Sequence, residues 1–382
     1  MRDNRVSRRK ALTLGAGTLA ALAGCTGSED GNGTEAATET TTESGTEPYS
    51  VSMAPVGDVE FDAVPETWLS YFPGYADMGV ALGHSEGLKA VGNVPRYHTD
   101  AYDELEGVSI NKDELTQLVG DGGIDKELYY ELGVDIHLTD PKWLTNNSFF
   151  GLGEDDVEDI ESNVSPFIGN TIFRRTDTWH DYRYYSLYEA FEKVAEIFQE
   201  EERYQAFKSF HDDYVAEVQS QLPSADQRPN ALLTFGAGDE PDSFAPYRLT
   251  DKGTNKKQWH DLGISDALAG TGIEGLSTTE RGYIDYETML EVDPDVILMR
   301  GQETKTREEF QDTVVSYMKD HNVASDLTAV KNDRVFRGGP IYQGPIQHLF
   351  NLERAAKQLF PDTFEGELFD RDRVAEIIVD GE

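Results

Sequence analysis

Two stretches of this chain, 160 residues apart, are copies of one another: residues 124–138 and 284–298. Each opens Ile-Asp (Ile124-Asp125, Ile284-Asp285), places a glutamate two residues on (Glu127, Glu287), repeats an acid at Glu131 and Glu291, and reaches an Asp before an apolar run (Asp135, Asp295). An Asp in the N-cap position with Glu in the first turn starts a helix. Gly133-Val134 and Asp293-Pro294 then break it, and 136–138 and 296–298 read as buried strand. Helix, tight turn and strand are half of an α/β unit, so a chain carrying the pattern twice is expected to fold as two similar α/β lobes.

Further strand candidates flank each copy. The first set is 67–72, 88–92 and 135–139, and the second is 230–235, 295–299 and 334–337. Helical patterns separate them, which predicts two Rossmann-like lobes with parallel-rich sheets flanked by helices. Between the sets, residues 187–222 contain neither Gly nor Pro, and Tyr204, Phe207, His211, Tyr214, Val215, Val218 and Leu222 recur at helical spacing. One long inter-lobe α-helix is expected there. Residues 201–222 alone would span about 33 Å at ~1.5 Å per residue, and Pro223 ends the run. The expected division is a leader at 1–25, a tether at 26–50, a first lobe at 51–185, a connecting helical segment at 186–223 and a second lobe at 224–382. At 382 residues the chain exceeds what one core usually serves.

The first 50 residues obey a different logic. Arg2, Arg5, Arg8, Arg9 and Lys10 precede the apolar run 11–24, which is too short to span a bilayer. Ser7-Arg8-Arg9-Lys10 is a twin-arginine export pattern, and the run behaves as the apolar core of a signal peptide. It ends in Leu22-Ala23-Gly24-Cys25, similar to the lipobox of lipoproteins, which would make Cys25 the lipid anchor. Cys25 is the sole cysteine, so no intramolecular disulfide can form. Residues 26–48 are dominated by Thr, Glu, Gly, Ser and Asp with no aromatic, and cannot bury enough apolar surface to fold. Sequons stand at Asn32, Asn146 and Asn163.

Charge narrows the class further. Seventy-two acidic residues face 33 Lys and Arg, a formal net of −39. Nucleic-acid binding, which needs a basic stripe, is excluded. At molar salt the Debye length falls to about 3 Å, so a surface this acidic ceases to repel itself. The composition therefore points to a salt-saturated habitat, that of a halophilic archaeon.

In α/β sheets, ligands bind beyond the carboxyl ends of the strands. The loops in that position carry Tyr75, Arg96, Tyr97 and Trp143 in the first half, and Tyr247, Arg300 and Tyr342 in the second. Basic and aromatic residues also concentrate in 174–185, with Arg174, Arg175, Trp179, Tyr182 and Arg183 as candidates. Arginine forks and aromatic faces with polar edges suit a flat or anionic chelate. Tyr184, Tyr185 and Tyr188 fit packing at the start of the long helix equally well. The eight histidines are scattered with no paired spacing, and His84, His98, His180 and His348 are those nearest the cleft loops. No bare-metal site is expected from them. A Gly-x-Ser-x-Gly elbow, a His-Glu-x-x-His helix and a phosphate loop are all missing, so no catalytic residue is expected.

The lipobox, the two lobes on one long helix and the segment Glu287-x7-Asp295-Val-Ile-Leu together resemble the iron-siderophore and cobalamin substrate-binding proteins of ABC importers. The segments 327–336 and 359–364 are similar to the family's last strand approach and closing helix end. The resemblance covers about residues 55–375 and implies a monomeric, lipid-anchored protein on the outer face of the membrane. It implies capture of an iron(III) chelate between the lobes, without a cofactor, and delivery to a permease and its ATPase. It also implies that Glu127 and Glu287, one per lobe, dock onto the permease. Where the family has Pro-Asp, the first copy has Gly133-Val134-Asp135. Cobalamin, haem, a bare metal or oxyanion, and a surface-anchored hydrolase stand as the alternative readings.

Overall fold

The computed structural model describes residues 47–273 and 282–381. The leader, Cys25, Asn32 and the tether up to residue 46 lie outside the described residues. The described chain begins with an antiparallel hairpin, Tyr49–Met53 against Gly57–Phe61. Val51, Met53, Val59 and Phe61 point inward while Ser50, Ser52, Asp58 and Glu60 face out, the period of two that a half-buried ribbon requires.

Two separate sheets follow. In the first, Thr116–Gln117, Leu88–Val91, Trp68–Ser70 and Ile136–His137 lie side by side, all parallel. In the second, Asn230–Phe235, Val296–Arg300 and Val335–Arg337 run parallel, Ala245–Tyr247 is added antiparallel, and Ser265–Asp266 extends the start of Asn230–Phe235. Every residue of Trp68–Ser70 and of Val296–Arg300 is buried, as expected of parallel strands covered on both faces. The expected class, α/β with two parallel-rich sheets, is the one observed.

The sequence repeat is a structural repeat. Helices Glu127–Leu132 and Tyr286–Val292 both end on a left-handed residue, Gly133 (φ 54°) and Asp293 (φ 42°), and both feed a parallel strand, Ile136–His137 at the edge of the first sheet and Val296–Arg300 inside the second. Asp285 caps its helix by accepting from Thr288 N at 2.9 Å, and Asp125 accepts from Glu127 N at 3.0 Å. The aspartates before the strands repeat a second task. Asp135 Oδ2 accepts from Thr67 N (2.8 Å) and Glu66 N (3.0 Å), and Asp295 Oδ2 accepts from Asn230 N (3.0 Å) and Asn230 Nδ2 (2.8 Å). Each pins the beginning of the neighbouring strand and so sets its register.

The connecting segment is two helices rather than one, Leu187–Phe198 and Glu201–Gln221. Gln199 takes φ 54° and terminates the first, a break that no Gly or Pro announces. Ser186 opens Leu187–Phe198 with a capping box to Glu189. Glu201–Gln221 makes the passage to the second sheet.

The chain then returns. Helix Pro345–Leu359 packs on Pro73–Ala81 of the first half, and Arg371–Asp380 packs on Glu201–Gln221 and on Pro73–Ala81. Pro345–Leu359 packs on Lys257–Asp261 of the second half as well, so this helix bridges the two halves. Two glycines permit the approach: a Cβ on Gly74 would lie 2.8 Å from Gln343 O, and one on Gly344 would lie 2.4 Å from Gly74 O. Asp77, wholly buried, accepts from Ile346 N (2.8 Å), Gln347 N (3.2 Å) and Tyr102 Oη (2.6 Å), so a carboxyl from one half caps a helix of the other. Burial raises its pKa to about 7 against the pull of those donors. One hydrophobic core accordingly runs from the first sheet across Pro345–Leu359 to Leu233 and Leu298, while a second core fills the far face of the second sheet.

Candidate ligand cleft

A cleft of about 600 Å³ opens between the carboxyl ends of the two sheets. Tyr71 follows Trp68–Ser70, Asn93 and Arg96 follow Leu88–Val91, and Trp143 stands on the short helix Pro141–Thr145 after Ile136–His137. Asp140 starts that helix, its Oδ1 accepting from Lys142 N at 2.9 Å. From the other half come Tyr247 at the end of Ala245–Tyr247, Asn255 and Lys256 on the following loop, and Ile341 and Tyr342 beyond Val335–Arg337.

The first-half wall is aromatic. Tyr71 lies 5.8 Å from Trp143 and 5.2 Å from Phe150 between ring centroids, Trp143 lies 5.4 Å from Phe173, and Phe173 lies 5.1 Å from Tyr342 of the opposite half. These tilted and edge-on contacts make a continuous apolar surface on which a planar group can lie. Arg174 is threaded through it, 5.2 Å from the Trp143 and Phe173 centroids. Its guanidinium is bound bidentately by Asp177 at 2.6 and 2.7 Å, so it brings little net charge. Arg96 stands exposed at the rim and favours the ionised Tyr342 hydroxyl, whose pKa burial nevertheless raises.

The second-half wall is cationic. Lys256 is 1% exposed, and burial lowers its pKa to about 8. Arg300 is wholly buried behind Tyr247, its guanidinium 5.1 Å from that ring, and it donates to Asn255 O. Burial also lowers the Arg300 pKa. Its Nε and Nη1, with Tyr247 Oη and Asn255 Oδ1, have no hydrogen-bond partner in the protein. Only Asp121, exposed at the mouth, opposes these charges among the lining residues.

Of the residues singled out from sequence, Arg96, Trp143, Arg174, Tyr247 and Tyr342 line this cleft, with Arg300 directly behind it. The others are elsewhere. Tyr75 is buried, its hydroxyl donating to Asn170 O at 3.0 Å, and Tyr97 is buried with its hydroxyl 2.9 Å from that of Tyr102 in the Asp77 network. Most of the 174–185 segment turns inward on itself. Arg175 donates to Tyr182 O (2.8 Å), Tyr182 Oη donates to Asp140, Trp179 stacks on His180, and Arg183 is exposed with Glu189 at 3.1 Å. The reason is tertiary: residues 172–175 form backbone hydrogen bonds with 252–255 (Thr254 N to Ile172 O, 3.0 Å; Arg175 N to Lys252 O, 3.2 Å), which closes the base of the cleft and leaves only Phe173 and Arg174 facing it. Tyr184 and Tyr185 donate to or accept from backbone at Ile172 and Ala54, as packing residues do.

Lys256, Asn255, Tyr71, Phe150 and Phe173 were not anticipated. Tyr71 and Phe173 adjoin segments already recognised, but nothing in 252–258 marks it as a wall. A larger cavity of about 710 Å³ lies near residues 98–104 and 303–361. Its lining sets Asp100, Glu104, Glu303, Asp333 and Glu353 against Arg307, Arg334, Arg337, Arg354 and Lys357, so it offers no excess of either sign. Glu127 and Glu287 are both exposed, each in the first turn of its copy of the repeated helix.

The periplasmic binding protein family model matches residues 69–342, well over half of the chain, and the chain belongs to that family. Its members are substrate-binding proteins of ABC importers and not enzymes. No curated protein matches by sequence. Among solved structures, the chain is similar to a periplasmic binding protein from Veillonella parvula (16% identity, TM-score 0.57, covering 82% of this chain and 98% of that one). It is also similar to the iron uptake ABC transporter substrate-binding protein PiuA from Streptococcus pneumoniae (14%, 0.56, 81% and 98%). A third is the triscatecholate siderophore binding protein FeuA from Bacillus subtilis, complexed with ferri-bacillibactin (13%, 0.54, 78% and 92%). At such identities the likeness establishes the fold. Among the described residues no helix is long and apolar enough to cross a membrane.

Proposed function

We propose that the cleft captures an anionic iron(III) chelate with flat or aromatic arms and that the protein delivers it to an ABC permease. One observation carries this reading: in a chain of net charge −39, the cleft sets Lys256 and Arg96, with Arg300 buried behind Tyr247, against a wall of aromatic rings. Buried cations of this kind stabilise an anion far better than exposed ones, because little water competes. Arg300, with two unpartnered donors behind Tyr247, adds positive field to the cleft without lining it. The relatives named above for iron uptake and a triscatecholate chelate support the ligand class by analogy. In this reading Cys25 carries the lipid, the twin-arginine leader exports the folded chain, and the protein works as a monomer on the outer face of a haloarchaeal membrane. Glu127 and Glu287 then present the loaded protein to arginines of the permease, where exposed charges set register and on-rate.

Tryptophan fluorescence titration in molar salt against citrate, catecholate and hydroxamate iron chelates, haem and cobalamin tests the ligand class. Saturable quenching by an anionic iron chelate, lost with Trp143→Phe, is expected. Saturation by cobalamin or haem alone, or by none, would reject it.

A further inference from the structure

Outside the cleft, three side chains from distant parts of the sequence converge: His211 from the middle of Glu201–Gln221, Asp261 from the end of helix Lys257–Asp261, and His348 from Pro345–Leu359. One ligand atom from each lies within 4.8 Å of the others. His211 is 4% exposed and His348 is fully buried.

Each imidazole is oriented by a hydrogen-bond acceptor on its Nδ1. His211 Nδ1 lies 2.9 Å from Asp212 Oδ1, and His211 Nε2 is buried without a partner. His348 Nδ1 lies 3.4 Å from Gln343 Oε1. The Gln343 amide is itself fixed, since its nitrogen donates to Gln258 Oε1 at 2.7 Å and to Thr254 O, so its oxygen faces the ring. A proton on Nδ1 of each ring leaves both Nε2 lone pairs turned into the cluster. His348 Nε2 lies 2.8 Å from Asp261 Oδ2, a contact that a proton on Nε2 fills in the metal-free protein and that an ion bound to both atoms would replace.

We propose that His211, Asp261 and His348 bind a divalent transition-metal ion, best matched by zinc, through the two Nε2 atoms and Asp261 Oδ2. Two imidazoles and one carboxylate form a donor set that zinc accepts in tetrahedral geometry, with the fourth position left to water. Calcium and magnesium, which demand oxygen, fit it poorly. The carboxylate on His211 Nδ1 and the amide oxygen on His348 Nδ1 are the outer partners that orient metal-binding histidines. Lys257, 2.9 and 3.1 Å from the Asp261 oxygens, competes for the carboxylate and would keep Oδ1 when the metal takes Oδ2. The ion would tie the connecting helix to two helices that follow it.

The full chain, stripped with chelator, is dialysed against ZnCl2 in molar KCl to screen its acidic surface, and separately titrated with Co2+. One zinc per chain and the visible bands of four-coordinate cobalt are expected. His211→Gln and His348→Gln should lower zinc to background, and Asp212→Asn should weaken binding roughly 10–100-fold. Lys257→Gln should tighten it. The wild-type cobalt spectrum needs no variant, so loss of folding in His348→Gln would not obscure the outcome. No zinc above background, six-coordinate cobalt only, or undiminished zinc in His211→Gln would overturn the proposal.

Discussion

The two walls of the cleft solve the same problem with opposite means. The first-half wall is built of rings; of its two arginines, Arg174 is cancelled by Asp177 and Arg96 stands exposed at the rim. The second-half wall buries Lys256 and Arg300 with no carboxylate bonded to either head group among the described residues. A ligand therefore meets apolar surface on one side and, on the other, buried positive charge that Asp251, Asp266 and Glu303 offset only from a distance. A buried cation left partly unsatisfied is costly to the empty protein, and that cost is recovered when an anion arrives.

The largest effect should come from Arg300→Met, which removes the most deeply buried charge: affinity for an anionic iron chelate falls about 100-fold, from the ~1.5–3 kcal/mol of a charged hydrogen bond, while the melting temperature holds or rises. A melting temperature that drops with unchanged affinity would reduce Arg300 to a packing residue. Next is Lys256→Met, expected to cost about 10-fold at pH 7. Lys256 is charged below its pKa of about 8, so wild-type affinity should decline as pH rises from 7 to 9, and the variant should be flat over that range. Trp143→Ala tests the opposite wall, and loss of one aromatic partner at ~0.5–1.5 kcal/mol predicts a fall of roughly 2–10-fold in titration calorimetry. Asp177→Asn sharpens the contrast in the other direction: releasing Arg174 should raise affinity about 2–3-fold if the first wall lacks only net charge. Arg183→Ala should change neither affinity nor stability by more than ~0.5 kcal/mol, because its side chain is exposed beside Glu189.

The duplicated unit was legible because its signals are local. Asp285 caps a residue three positions on, and Asp135 and Asp295 stand at the mouths of the strands they begin. Strand positions at 230–235 and 296–300 follow from unbroken apolar runs that only a covered parallel sheet accommodates. The helix break at Gln199 was not legible, since a non-glycine residue adopts the left-handed region there without any flanking signal. The candidate site was read in part. Arg96, Trp143 and Tyr342 follow within a few residues of strand ends and Tyr247 closes a strand, positions that direct them to the cleft. Arg175, Tyr182 and Arg183 have the same composition as a binding segment, yet their partners are a backbone carbonyl, Asp140 and Glu189. Composition cannot say which of those contacts forms.

By itself, then, the sequence determined the two α/β halves, their order and the level at which a ligand must enter, because capping, turn geometry and strand periodicity act over a few residues. The tertiary structure alone decided which side chains face that ligand, and it alone brought His211 within reach of Asp261 and His348. Those contacts join residues 50 to 137 positions apart, and their geometry depends on how helices pack on sheets rather than on any local pattern.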